Sequence, residues 1–336
     1  MALVIPIFIP HRGCPHQCLF CNQQSITGQD DKVRPIGENI VGTIEEWLAR
    51  SRRRSEVQVA FYGGSFTCLA IPEQIDMLLS VRPFIESGRV TSIRLSTRPD
   101  CIDGDGCNLL QEFGVKTVEL GVQSLNDHVL KKSRRGHTVL QSREAVKILR
   151  GEGMQVGVQL MVGLPSETTV SFLHGIDEVI RLQPDFVRLY PVVVVKKSGL
   201  ENLCHQGLYH PLSLNKAVAL SVKGYSRLER AAIPVVRMGL QPSRALEASI
   251  VDGPYHPSFG ELVKSRIWFR RIRKKLNTLL PEEKVTIFVS HRDLSAVNGM
   301  KRQNIKRLIE LGFGDRFTIT TDKSMERGSV RYDFGQ

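Results

Sequence analysis

Apolar positions in the first two hundred residues follow two alternating rhythms. Short runs rich in Val, Ile and Phe end in glycine or polar residues: VIPIFIP (4–10), VQVAFYGG (57–64), SIRLSTRP (92–99), TVELGVQS (117–124), VGVQLMVGLP (156–165) and FVRLYPVV (186–193). Between them, stretches such as ENIVGTIEEWLARS, PEQIDMLLSVRPFI, LQSREAVKILRGEG and TTVSFLHGIDEVIRL repeat apolar residues every three or four positions. The first rhythm predicts strands and the second predicts helices. Six strand–helix units in this order predict an α/β protein with a parallel sheet and outer helices. The strands read as almost wholly apolar, which suits a sheet covered on both faces. Six units fall short of the eight of a closed barrel, so the expected core is an open, partial (β/α)6 TIM-type barrel over residues 1–200. Active sites of such barrels sit at the C-terminal ends of the strands.

Past residue 200 the rhythm changes, and an appended α+β region over 201–336 is expected. A helix (LNKAVALSVKGYSRLERAA) leads to a strand-like PVVRMGLQ and the turn-rich SIVDGPYHPSFG. A basic helix (ELVKSRIWFRRIRKKL), a strand (KVTIFVS), a helix (MKRQNIKRLIELG) and a final strand pair (RFTITTD, SVRYDF) follow. Arg52, Arg53 and Arg54 close an early helix, where basic side chains favour the negative helix end.

Composition adds three constraints. No apolar run approaches the ~18 residues of a spanning helix, and the opening MALVIPIFIP lacks the flanks of an export signal. A cytoplasmic protein is expected. The formal charge is +12, concentrated in residues 253–336, where 17 Lys and Arg stand against 9 Asp and Glu. Such a surface favours an anionic partner such as RNA. The segment Lys264 to Lys275 interleaves seven basic residues with Ile267, Trp268, Phe269 and Ile272. It reads either as an RNA-contacting segment or as an amphipathic helix with a solvated basic face. Seven cysteines, four of them scattered (Cys68, Cys101, Cys107, Cys204), do not form a disulfide framework for a chain of this length.

The other three are clustered. Cys14, Cys18 and Cys21 lie in RGCPHQCLFCNQ with the spacing C-x3-C-x2-C, directly after the first strand. Thiolates bind soft metals or iron–sulfur clusters. A structural zinc site needs four ligands, and His16 is the one nearby candidate for the fourth. A [4Fe-4S] cluster held by three cysteines keeps one iron open, and an open metal position indicates chemistry.

This motif, with Phe20 before the last cysteine, resembles the signature of the radical S-adenosylmethionine (SAM) superfamily. The resemblance extends to Phe61-Tyr62-Gly63-Gly64-Ser65-Phe66-Thr67 after the second strand, to Val118 through Ser124 with Arg134-Arg135-Gly136-His137-Thr138, and to Val162 through Thr168 at the fifth-strand exit. Two groups are most similar: the oxygen-independent coproporphyrinogen III oxidases, and the Elongator catalytic subunit that modifies wobble uridines in tRNA. Ser96 to Asp100, Gly121 to Ser124, Arg135 to Thr138 and Leu189-Tyr190-Pro191 resemble the latter. The cysteine spacing differs from it, and the residues after the barrel are too few for its acetyltransferase domain.

The resemblance implies a [4Fe-4S] cluster on Cys14, Cys18 and Cys21. Its open iron chelates SAM, whose reductive cleavage gives a 5′-deoxyadenosyl radical. An electron donor of flavodoxin or ferredoxin type and a substrate such as tRNA or another RNA are implied as partners. Gly63, Gly64 and Ser65 match the methionine-binding turn, where glycine lets the backbone approach a ligand. Phe8 and Phe20 match aromatics near the cofactor, Ser96 and Gln159 ribose-contacting positions, Gln123 and Arg135 further cofactor contacts, and Val192 a backbone contact to adenine. Tyr62, Cys68, Arg98, His137 and Tyr190 are further pocket candidates, and a Cys68 thiol there would be a hydrogen donor to a product radical. No catalytic residue is assigned. Two other functions stay open: the same chemistry on a small molecule such as a tetrapyrrole or in haem delivery, and a non-enzymatic RNA-binding protein stabilised by a metal.

Overall fold

The computed structural model describes residues 3–22, 36–50 and 55–334, which leaves Arg52, Arg53 and Arg54 outside the described residues. The chain divides into two compact units, residues 1–217 with 224–255 and residues 218–223 with 256–336.

Six strands of the first unit follow the six apolar runs: β1 (Leu3–Phe8), β2 (Val57–Tyr62), β3 (Ser92–Thr97), β4 (Val115–Gln123), β5 (Gln155–Val162) and β6 (Phe186–Pro191). A short β7 (Val194–Val195) pairs antiparallel with a later β9 (Ile250–Asp252). Between these two lies β8 (Val235–Met238), which extends the main sheet. All neighbours in that sheet are parallel, in the order β1-β2-β3-β4-β5-β6-β8. The strand-like PVVRMGLQ, expected within the appended region, is therefore the seventh strand of the barrel sheet. Its short sequence carries Arg237 at the edge of the sheet and lacks the long β-branched run that marks the other six.

Helices α1 (Ile36–Arg50), α2 (Ile71–Glu86), α3 (Gly104–Glu112), α4 (Asp127–Lys132), α5 (Val139–Gly151) and α6 (Thr169–Leu182) connect these strands. Their starts are written locally. Thr138 and Gln141 form a reciprocal capping box on α5, Thr168 and Ser171 do so on α6, and the Asn126 side chain accepts from the N–H of Val129 to open α4. Val139, Ser142, Ala145, Val146 and Leu149 form the buried stripe of α5. The first unit also contains α7 (Gly199–His205), the ends of α8 (Leu214–Arg230) and α9 (Arg244–Ser249).

One hydrogen bond reports the curvature of the sheet. Four strand spacings separate β2 from β6, roughly 19 Å in a flat sheet. Yet Arg188 Nη2 of β6 donates to the Tyr62 hydroxyl of β2 at 3.0 Å. The sheet is curled into a partial barrel with these side chains on its concave face. The register carries Phe8 (beside Tyr62), Ser96 (beside Glu119) and Gln159 (beside Arg188) onto that face. The inner face is thus polar, against the expectation of strands apolar on both sides. An open barrel covers its outer face with helices and keeps its lumen available for polar groups.

In the second unit, α10 (Phe259–Leu276), α11 (Leu294–Asn298) and α12 (Gln303–Leu308) pack on a sheet of β10 (Val285–Ser290), β11 (Phe317–Asp322) and β12 (Val330–Phe334). The expected final strand pair is not paired with itself. β11 and β12 flank β10, the first parallel and the second antiparallel, because β10 is the most apolar of the three and takes the centre. Trp268, Phe269, Ile272 and Leu276 are buried in this core. The aromatics of the Lys264–Lys275 segment are therefore not presented for base stacking, and the amphipathic reading holds. Among the described residues no helix is long and apolar enough to cross a membrane.

Candidate functional site

The three clustered cysteines follow β1 on a loop tied to several strand exits. The carbonyl of Tyr62 accepts from Ile9 N (2.8 Å), that of Gly63 from His11 N (3.1 Å), and Ser65 N donates to the carbonyl of Arg12 (2.9 Å). Gly64 is required at this seam, since a Cβ there would lie 2.5 Å from the carbonyl oxygens of both Ile9 and Arg12. Gly63 adopts a φ of 88°, a conformation that glycine enters without penalty. Farther along the loop, Leu19 N donates to Ser133 O, Leu19 O accepts from Leu200 N, and the Asn22 amide donates to Lys196 O. The loop is thus held by the exits of β2 and β7, by the start of α7 and by the turn after α4.

Each cysteine has a distinct setting. Cys14 Sγ is 3.6 Å from the Ser65 hydroxyl. Cys18 is buried, and Arg135 Nη1 donates to its sulfur at 3.4 Å. Cys14 and Cys21 line a cavity of about 450 Å³ together with His11, His16, Asn22 and Lys197. All three are unbridged. Gly136 packs against the His16 ring, leaving no room there for a Cβ.

Arg135 ties Cys18 to the fourth strand. Its Nε and Nη2 donate to Gly121 O at 3.2 and 2.6 Å, and a Cβ on Gly121 would lie 2.8 Å from that Nη2. Behind it, Arg98 is almost wholly buried, pairs in bidentate fashion with Asp100, and donates to the Arg135 carbonyl at 2.7 Å. Arg98 acts through Arg135 and does not line the cavity described above. His137 is buried beside them, and burial, then the Arg135 charge, pushes its pKa down to about 3.

On the concave face, Gln159 Nε2 donates to Gln123 Oε1 at 3.2 Å, which brings two of the expected cofactor-contacting residues together. A register shift in β4 and a φ of 67° turn Gln123 toward its partner. Phe8 is more than a third exposed and is not core. Phe20 and Val192 share one apolar cluster with Leu19, Met161 and Leu200. Val192 N donates to Val162 O, so a backbone contact from Val192 to a ligand would use its carbonyl.

A buried ionic layer was missed in the sequence. Glu119 of β4 receives Tyr62 OH at 2.9 Å and pairs with Arg188 at 2.9 Å and Arg94 at 3.4 Å. Burial, then the Glu119 charge, pushes the Tyr62 hydroxyl up to about 12. The signal was present as polar residues two apart on the strands, Arg94 and Ser96, Arg188 and Tyr190, with Glu119 and Gln159 on the strands between.

Cys68 is not the free thiol expected of a hydrogen donor. It forms a disulfide with Cys101, and so carries no thiol to donate hydrogen. The 3-10 turns Phe66–Cys68 and Pro99–Cys101 follow the neighbouring strands β2 and β3, which places the two cysteines side by side. Burial pushes the Cys107 thiol up to about 11.

A family model of the radical SAM superfamily matches residues 8–178, and one of the Radical_SAM C-terminal domain matches residues 184–268. The chain belongs to the radical SAM superfamily. It is a radical SAM enzyme, and membership implies a [4Fe-4S] cluster and SAM. A tRNA uridine(34) acetyltransferase of Methanocaldococcus infernus is 29% identical over 77% of this chain and 55% of its own length. An oxygen-independent coproporphyrinogen-III oxidase-like protein of Bacillus subtilis, HemZ, is 26% identical over 60% of this chain and 42% of its own. The chain thus spans about half the length of these relatives. An N-terminally truncated archaeal Elp3 from Methanocaldococcus infernus superposes with a TM-score of 0.61 at 21% identity, covering 82% of this chain and 63% of that one, and shows a shared fold.

The residues present fit the implied cluster. Three unbridged thiols share one loop, and both Ser65 and Arg135 are in hydrogen-bond reach of a sulfur, a contact that tunes cluster potentials. Among the described residues, no three His, Cys, Asp or Glu side chains converge as on a single metal ion. A cluster instead takes each thiolate on a separate iron.

Proposed function

We propose that this enzyme modifies RNA, with tRNA as the substrate class. The observation that carries the chemistry is the C-x3-C-x2-C loop, pinned at the C-terminal mouth of a parallel half-barrel with Arg135 on Cys18. The RNA assignment draws support from likeness to tRNA uridine(34) acetyltransferases over three quarters of the chain and from the net charge of +12.

In this reading Cys14, Cys18 and Cys21 hold the cluster. Bound cluster and SAM supply a one-electron cleavage that yields the 5′-deoxyadenosyl radical. The turn Gly63-Gly64-Ser65 presents backbone to the methionine end. Gln123 and Gln159, already hydrogen-bonded to each other, face the ribose with Ser96. Phe8 and the Val192 carbonyl border the adenine. Arg135, through its bonds to Gly121 and Cys18, fixes the fourth-strand exit against the cluster loop. The Tyr62–Glu119–Arg94–Arg188 layer closes the lumen below with fixed charges. A flavodoxin- or ferredoxin-type protein supplies the electron.

The test is anaerobic reconstitution followed by incubation with SAM, dithionite and total tRNA. The expected outcome is about four iron per chain, 5′-deoxyadenosine in the products, and a new nucleoside mass in digested tRNA. 5′-Deoxyadenosine without any altered nucleoside, together with turnover of a tetrapyrrole, would move the substrate to the coproporphyrinogen-like class. A reconstituted chain that makes no 5′-deoxyadenosine would remove the reading altogether.

A further inference from the structure

The second unit holds a feature that the barrel chemistry does not use. Its order is β10, α11, a four-residue loop, α12, a π-helical turn (Ile309–Phe313), then β11 alongside β10 and parallel to it. The loop is Gly299-Met300-Lys301-Arg302. It joins two helices of only five and six residues. Gly299 adopts a φ of 71°, and Lys301 (φ 50°, ψ 32°) and Arg302 (φ 59°, ψ 31°) both stand in the left-handed region. Two successive non-glycine residues in that conformation cost roughly 1–2 kcal/mol each. Strain of this kind persists where the surroundings impose it and clusters at ligand-holding sites.

The surroundings do impose it. The Asn304 amide lies 3.0 Å from both the carbonyl and the hydroxyl of Ser265 on α10, and 3.2 and 3.0 Å from the carbonyls of Ala296 and Val297 on α11. It closes the last carbonyls of α11 and bolts the loop to α10. Gly299 is buried in the same corner, where a Cβ would lie 2.9 Å from the Ser265 hydroxyl. The next three residues point outward: Met300, Lys301 and Arg302 are all exposed. From His291 to Arg307 the segment carries five Lys and Arg against one acid, Asp293. That acid is buried and accepts from Gly328 N and Arg327.

We infer that this loop is a binding site for single-stranded nucleic acid, gripped by its sugar–phosphate backbone. A strand, two short helices joined by a glycine-opened four-residue loop, and a neighbouring strand is the arrangement with which KH modules clamp about four nucleotides. The loop departs from G-X-X-G at its fourth position, where Arg302, in the left-handed conformation, stands in place of the second glycine and adds a charge. The helix after the loop, Gln303–Leu308, runs on into a π-helical turn at Ile309–Phe313, so it is the exposed strained loop, not the helix length, that favours a single strand over a duplex. The exposed bases Arg292, Lys301, Arg302 and Lys306 complement phosphates, and no exposed acid in the segment opposes them. The residues of this site all belong to the second unit, and its binding needs neither cluster nor SAM.

The test is fluorescence anisotropy of the full chain, without SAM or reductant, against labelled eight-nucleotide single strands of RNA and of DNA and a matching RNA duplex. Single strands are expected to bind at least tenfold more tightly than the duplex. Affinity for RNA over DNA would assign the 2′-hydroxyl a role, and equal affinity would assign the backbone alone. The double substitution M300D/K301D should weaken single-strand binding at least tenfold and flatten its salt dependence. Asp tolerates the left-handed region, so the loop keeps its form. Thermal unfolding and RNA-free 5′-deoxyadenosine production should stay unchanged. K306E, on the outer face of α12, should weaken binding as well. Unchanged affinity in both variants, or duplex binding equal to that of single strands, overturns the inference. Failure to find a modified tRNA nucleoside would leave it untouched.

Discussion

Replacing Gly64 by alanine tests whether the cluster loop depends on its seam with β2. The added methyl would meet two carbonyl oxygens, those of Ile9 and Arg12, at 2.5 Å, and Ile9 Cγ1 at 3.2 Å. Ordinary contact begins near 3.4 Å, so both carbonyls must retreat by about 0.9 Å. They have little freedom to do so. Ser65 N is bonded to the Arg12 carbonyl, and the hydrogen bonds from Ile9 and His11 to Tyr62 and Gly63 run through the same seam. Overpacking of this kind costs about 1–3 kcal/mol, and a lost ladder bond adds about 0.5–1.5 kcal/mol. A cost near 2 kcal/mol lowers the unfolding midpoint of a unit this size by roughly 4–8 °C. The functional effect should exceed the effect on stability, because metal–ligand distances tolerate only about 0.2 Å and Cys14 lies just two residues beyond Arg12. Anaerobically reconstituted G64A should hold well under the wild-type iron content and make less 5′-deoxyadenosine. The control is G42A on α1, where a Cβ would meet nothing within 4 Å; it should reconstitute normally. Wild-type iron content and 5′-deoxyadenosine output in G64A would refute the reasoning.

Two further outcomes follow from the buried polar groups. E119Q leaves Arg188 and Arg94 facing a neutral amide, and should cost about 3–5 kcal/mol in urea unfolding; a loss below 1 kcal/mol would mean that solvent screens the layer. His137 is depressed to about 3 from its ordinary 6.5, so its contribution is present above pH 6.5 and is lost as pH falls toward 3, at about 1.4 kcal/mol per pH unit. Between pH 6.5 and 5 the wild-type chain should lose about 2 kcal/mol more stability than H137Q; parallel acid limbs would show that His137 is already protonated in the folded chain.

What was legible in the sequence was local. Six strands announced themselves because each is a β-branched run closed by glycine or a polar cluster. The cysteine loop was legible because all three ligands lie within eight positions. β8 was seen as a strand but not as part of the barrel, since nothing in VVRM names its neighbour; its partner β6 lies beyond two helices and a hairpin strand. Contacts between distant segments were silent for the same reason. Arg188 reaches Tyr62 across 126 positions, and Cys68 reaches Cys101 across 33. Each partner alone reads as an ordinary residue. Only the curl of the sheet, which no single strand encodes, turns Arg94, Glu119 and Arg188 into one charge layer.

The basic C-terminal region shows where composition misleads about position. Trp268 and Phe269 stand among seven basic residues and read as base-stacking partners, yet α10 turns both into the core against β10. Arg271 and Arg307 then lie over the two rings, at 5.1 and 4.9 Å, on the side left facing outward. The charge excess was real, but the loop proposed to bind nucleic acid lies thirty residues on, in Gly299-Met300-Lys301-Arg302, which holds no aromatic at all. Helical periodicity smooths over that loop, since MKRQNIKRLIELG reads as one helix from Met300 onward. Backbone dihedrals separate it: Lys301 and Arg302 cannot be helical at φ of 50° and 59°. A binding loop made of helix-favouring residues is held by its neighbours, Asn304 above all, and so becomes visible only once they are in place.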